Sequence, residues 1–272
     1  MNPKVRALID ESLSLPYGKS RKDLAGRAVR EADVLGDNDS RFGARYEFVR
    51  AAVFSGFGEE AFAPFTWCLA AFEEDPSRYD PWRVVWMYKW MAVRLYKHAS
   101  ISRQQIADTL DKFENFFRDL GLSQRPVLMQ RIRNEIHTGG DVGNVESWFE
   151  KFLDEPRDQY SDCAVCEQIF SVWVRFQLGD TKRAFYDGFQ LLGTERKCIE
   201  VPTFTYSMLL TEAIKSDDKR AARLAERGYP LARENPLFST AIATYLEWSA
   251  ANGSADVVSR MWSEHFRWFL DT

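Results

Sequence analysis

Apolar residues recur along this chain every three to four positions, the period of one face of an α-helix and not the alternation of a strand. Ile106, Leu110, Phe113, Phe117 and Leu120 form one such stripe, while Asp108, Asp111, Asn115 and Asp119 take the other side. Ser102 followed three residues later by Gln105 is a capping-box start, and Gly121 is a suitable stop. Strand-like alternation is weak throughout, so the pattern predicts an all-α chain.

The predicted helices come in pairs. Tight turns fit near Gly18, Gly56, Ser100, Gly140, Gly179, Asp217 and Gly253. Their spacing is roughly 40 residues, the length of one two-helix repeat. Seven such pairs fill the sequence, read as a single domain over residues 1–272. Five positions after the turn stands a small or β-branched residue (Ala61, Val145, Ala184, Ala222, Val258). At nine positions come Phe65, Phe149 and Trp262, though Gly188 and Glu226 break the pattern, and at twelve Cys68, Phe152, Leu191, Tyr229 and His265. A small residue near the turn lets the second helix approach the first closely, and larger ones fill the space further out.

The segments Leu178–Phe185 and Ser55–Phe62, with Ala61-x3-Phe65-x2-Cys68 and Asp75-Pro76, resemble the inter-helix turn, second helix and closing proline of tetratricopeptide repeats. The first-helix Trp-x2-Leu-Gly-x2-Tyr pattern of that family is not intact anywhere, so the resemblance is to a degenerate array. It implies an α-solenoid of about seven antiparallel helix pairs in a right-handed superhelix. It also implies a concave groove, lined by the first helices, that binds a peptide or a partner protein.

Candidate functional residues follow from that frame. After the cap pair Asp80-Pro81, Trp82, Trp86 and Trp90 share one helix face, Val84, Met87, Met91 and Leu95 another, and Arg83, Lys89 and Arg94 supply charge. Trp, Tyr and Arg dominate binding hot spots, so Trp82, Trp86, Trp90, Arg83, Arg45 and Tyr46 are the candidate partner-binding set, with core packing as the competing role. Cys163-x2-Cys166 opens a predicted helix, and Cys198 precedes the next first helix, so the three thiols are placed to converge as a zinc site lacking an obvious fourth ligand. Inert thiols and redox exchange are the other readings. His98, His137 and His265 are expected near helix C-termini. Arg125, Arg131 and Arg133 form a small basic patch. Asp37-Asn38-Asp39 starts like a calcium loop but continues with Arg41 and Phe42 where an oxygen ligand and a glycine are required. The final helix carries Met261, Trp262, Phe266, Trp268 and Phe269, which suggests a homo-oligomer or partner contact there.

Composition narrows the function. A net charge of -4 disfavours a nucleic-acid footprint. No apolar run is long enough for a membrane span, and the first residues lack a secretory h-region, so a cytoplasmic protein is expected. Phosphate-loop, zinc-protease and nucleophile-elbow motifs do not occur, so no enzyme is expected. The primary expectation is a protein- or peptide-binding adaptor. The alternatives are a ligand- or peptide-responsive regulatory sensor, and a zinc- or thiol-site protein centred on the cysteines.

Overall fold

The computed structural model describes residues 1–93, 95–98, 100–195, 198 and 200–270. Arg94, expected on the charged side of the tryptophan helix, lies outside them. Fourteen α-helices and no strand are found among the described residues, in two compact units, Met1–Ser161 and Asp162–Thr272.

The first unit contains α1 (Pro3–Ser14), α2 (Lys19–Leu35), α3 (Asn38–Phe54), α4 (Phe62–Glu74), α5 (Pro81–Ala92), α6 (Arg103–Asp119), α7 (Arg125–His137) and α8 (Val142–Asp154). The second contains α9 (Ala164–Gln177), α10 (Thr181–Leu192), α11 (Thr203–Lys215), α12 (Ala221–Ala232), α13 (Ser239–Asn252) and α14 (Ala255–Leu270). Each odd-numbered helix and its successor flank one of the expected turns. At Gly18, Gly56, Gly179 and Asp217 the backbone has a positive φ that relieves the turn. At the fourth turn it is Gly139, one residue before the expected Gly140, that adopts it.

Local chemistry starts the helices. Asp80 accepts from the amide of Trp82 at 3.0 Å, with Pro81 at the first helical position of α5. Ser102 and Gln105 close the full capping box of α6. Asp37, in the calcium-like run, caps α3 by accepting from the amides of Asp39 and Ser40. Its carboxylate is therefore spent on a helix end.

Within the first unit α1 packs on α2, α3 on α4 and α7 on α8, and the odd helices α1, α3, α5 and α7 also touch in succession. The second unit repeats this: α9 packs on α10, α11 on α12 and α13 on α14, while α11 touches both α9 and α13. The core of the first unit is aromatic. Tyr88 stacks on Phe113 at 4.9 Å, and Phe113 meets Phe117 edge-on at 4.6 Å. Phe113 and Phe117 are fully buried, each worth about 1.5–3 kcal/mol relative to exposure. Leu120, expected to extend their stripe, is exposed at the C-cap of α6, because the helix ends before its register returns to the core.

The small-residue register holds at Ala61, Val145 and Ala184, all buried. In α12 it shifts. Ala222 is exposed and Ala221, Ala225 and Gly228 face inward. Trp262 in α14, expected as a gap-filler, is 54% exposed, and Met261 and His265 occupy the inward positions. His265 is thus wholly buried within α14, away from its C-terminal end.

Candidate functional site

Helix α5 is apolar on more than one side. Val84, Val85, Met87, Tyr88 and Met91 are buried among its neighbours, which leaves the Trp82–Trp86–Trp90 stripe on the remaining face. Four residues advance a helix by slightly more than one turn, so the three indoles form a gently drifting row. Trp86 lies 5.2 Å from Trp82 and 6.1 Å from Trp90, centroid to centroid. The row continues beyond the helix at both ends. Trp82 meets Tyr160 at 5.5 Å, Trp90 meets Phe54 at 5.4 Å, and Phe54 meets Tyr17 at 5.3 Å. Six aromatic rings thus form one continuous ladder across the first unit. Tyr17, Phe54 and Trp82 are exposed; Trp86, Trp90 and Tyr160 are half-buried. The indole Nε1 of Trp86 is buried without a hydrogen-bond partner, an arrangement that costs about 1–3 kcal/mol.

Cations flank the ladder. The guanidinium of Arg83 lies 5.1 Å from the ring centre of Tyr46, which in turn is 5.9 Å from Trp90. Among the described residues no carboxylate pairs with Arg83. Arg21 lies 4.1 Å from the centre of Tyr17. The ammonium of Lys89 sits 3.9 Å from the centre of Trp86 and donates to the carbonyl of Tyr160 at 2.8 Å. Glu47 pairs with Arg50 at 2.7 Å. Burial pushes the Glu47 carboxyl up, opposed by Arg50, Arg83 and Arg21. Burial likewise raises the Tyr46 phenol, so it stays neutral.

Of the six residues expected to bind a partner, the structure brings Tyr46, Trp82, Arg83, Trp86 and Trp90 together. Arg45 is not among them. It stacks 4.3 Å from the centre of Trp67 on α4 and pairs with Asp33 on α2 at 2.9 Å, because one step along α3 turns it about 100° away from Tyr46. Sequence reasoning missed Tyr17, Phe54, Tyr160 and Arg21. The available signal was positional: Tyr17 and Phe54 are large aromatics just before the Gly18 and Gly56 turns.

The three cysteines of the second unit converge. Cys163 is the N-cap of α9, and its sulfur accepts from the amide of Cys166 at 3.4 Å. The Sγ atoms of Cys163 and Cys166 are 3.0 Å apart, those of Cys166 and Cys198 are 3.4 Å apart, and all three lie within 4.8 Å of one another. Cys163 is exposed and the other two are half-buried. Burial first, then the adjoining thiols and the charge of Glu200, push the Cys166 thiol up. Cys68, in the first unit, is buried with its thiol pushed up to about 12 by desolvation.

The expected basic patch is not a free surface. Arg125 is buried and donates to the carbonyls of Phe152 and Glu155 at 2.7 and 2.6 Å, and Arg131 pairs with Asp111 and Glu114 at 2.7 and 2.6 Å. No family model, no curated protein and no solved structure matches the chain. No helix among the described residues is long and apolar enough to cross a membrane.

Proposed function

We propose that the chain is a peptide-binding adaptor whose first unit takes an acidic peptide segment carrying apolar anchors along the aromatic ladder. The observation that carries this reading is the ladder itself: six rings in series, three of them exposed, with Arg21 and Arg83 beside it. Monomeric proteins rarely leave large apolar groups contiguous without a binding role. Aromatic rings lose little side-chain entropy on binding, and Trp, Tyr and Arg dominate interface energetics. The charge of this face sets the sign of the occupant. Arg83 has a ring partner and, among the described residues, no salt bridge, so a glutamate or aspartate beside an apolar anchor complements it.

A tetratricopeptide-like stacking of pairs within each unit accords with this reading. In such an array the first helices line the binding groove, and α1, α3, α5 and α7 are the helices that touch in succession here. Fold kinship alone assigns no function; the ladder and its cations are what support this reading.

The test is selection of a random peptide library on the immobilised full chain, followed by fluorescence polarisation of the enriched peptides. The expected peptides are acidic with one aromatic or leucine anchor. Trp82→Ala and Arg83→Glu should each weaken them at least ~10-fold. Arg183→Glu in the second unit should leave them unchanged. Enrichment of basic peptides, or affinities indifferent to Trp82 and Arg83, would refute the proposal.

A further inference from the structure

We propose that Cys163, Cys166 and Cys198 bind one zinc ion as three thiolates, with the fourth coordination position open to an exchangeable ligand. The proposal concerns the second unit alone and stands independently of the peptide-binding reading.

The geometry points to a shared ion. Zinc–thiolate bonds are about 2.3 Å long and tetrahedral, which places neighbouring sulfurs about 3.8 Å apart. The observed separations of 3.0 and 3.4 Å are a few tenths of an ångström short of that edge, and all three sulfurs lie within 4.8 Å of one another. Sub-ångström rotamer adjustments would equalise them.

One local feature favours a cation-bound cluster at this end of the helix. Cys163 and Cys166 occupy the N-cap and third position of α9, where unpaired backbone amides and the helix dipole favour negative charge. Cys198 comes from the connection before α11, thirty-two residues away. An ion held by all three sulfurs therefore ties α9 to that connection. Without a cation, three neighbouring thiolates would repel one another. A dication removes that repulsion and displaces three thiol protons to solvent.

The fourth position distinguishes this site from a closed structural zinc. Among the described residues no histidine, fourth cysteine or carboxylate joins the group. Cys163 is exposed, so the ion would face solvent on that side and carry a water or an external thiol or imidazole.

Cobalt titration of the reduced full chain under anaerobic conditions tests this. The expected result is one cobalt per chain, with a thiolate-to-cobalt charge-transfer band and the strong visible bands of a tetrahedral site. Zinc should displace the cobalt. Cys198→Ser should lower zinc affinity on the order of 100-fold while retaining wild-type helical circular dichroism, and Cys68→Ser should change nothing. Added imidazole should shift the visible cobalt bands of the wild type, because the fourth ligand exchanges. Absence of charge-transfer absorption would overturn the site, as would metal binding unaffected by Cys198→Ser. Visible bands insensitive to imidazole would overturn the open fourth position.

Discussion

Lys89 and Tyr160 are 71 residues apart in sequence, yet the ammonium of one donates to the carbonyl of the other at 2.8 Å. Lys89 is only 4% exposed, and its charge also lies over the ring of Trp86. A buried ammonium is tolerable only when its donors are spent in this way. The bond draws the segment after α8 onto α5 and sets the ring of Tyr160 against Trp82.

Removing that ammonium should therefore loosen the end of the ladder as well as the fold. Lys89→Ala is expected to destabilise the first unit by about 2–3 kcal/mol, from the lost charge-assisted hydrogen bond, cation–π contact and packing of the aliphatic stem. Urea denaturation followed by tryptophan fluorescence measures it. A loss below about 0.5 kcal/mol, the range of ordinary surface substitutions, would contradict the structural role of this pair.

Gly228 is a point of close approach between α12 and its neighbours. A Cβ there would overlap the phenolic oxygen of Tyr245 on α13 and come within 2.7 Å of Tyr206 Cβ on α11. Tyr245 is 1% exposed and has little room to retreat. Gly228→Ala is expected to cost about 1–3 kcal/mol by overpacking, although alanine is the better helix former. Thermal unfolding distinguishes the two effects by sign: a raised midpoint would mean that the neighbours yield.

His265 makes the stability of the second unit depend on pH. It is the one histidine after residue 161. Its Nε2 lies 3.1 Å from the hydroxyl of Tyr229, and its Nδ1 is buried without a partner. Burial lowers its pKa below 6.5, with Glu264 opposing and Arg233 assisting. The unfolded chain, titrating near 6.5, thus takes up the proton first on acidification. The native contribution of neutral His265 is complete above about pH 6.5 and is lost as pH falls through that value toward the folded pKa. The urea midpoint of the wild type should drop across that window, and His265→Gln should drop less. Identical slopes would show that His265 titrates alike in both states.

We also propose that α14 carries a contact between copies of the chain. Trp262 stacks on Phe269 at 5.8 Å with nearly parallel rings, and more than half of Trp262 is exposed. Trp268 instead packs 4.5 Å from His265, so it is the weaker probe of a surface contact. Light scattering should show a concentration-dependent mass that Trp262→Glu reduces to that of a monomer. A monomeric wild type at every concentration would dismiss this contact.

The helices and the turns between them were legible in the sequence alone. Caps such as Asp80-Pro81 and Ser102/Gln105, and turn residues such as Gly56 and Gly179, act over four or five neighbours, so their meaning is local and legible. The sequence also marked the tryptophan stripe and the three cysteines as candidates, since one helix face and one CxxC spacing are short-range patterns. Only the tertiary structure decided which polar groups are already engaged. Arg45 turns to Asp33 and Trp67, Arg125 and Arg131 are taken up by carbonyls and carboxylates, and Tyr17, Phe54 and Tyr160 join the ladder from distant segments. A ladder of this kind depends on how helices far apart in sequence are set against each other, and small differences in packing angle and register, which no local pattern encodes, fix which side chains meet.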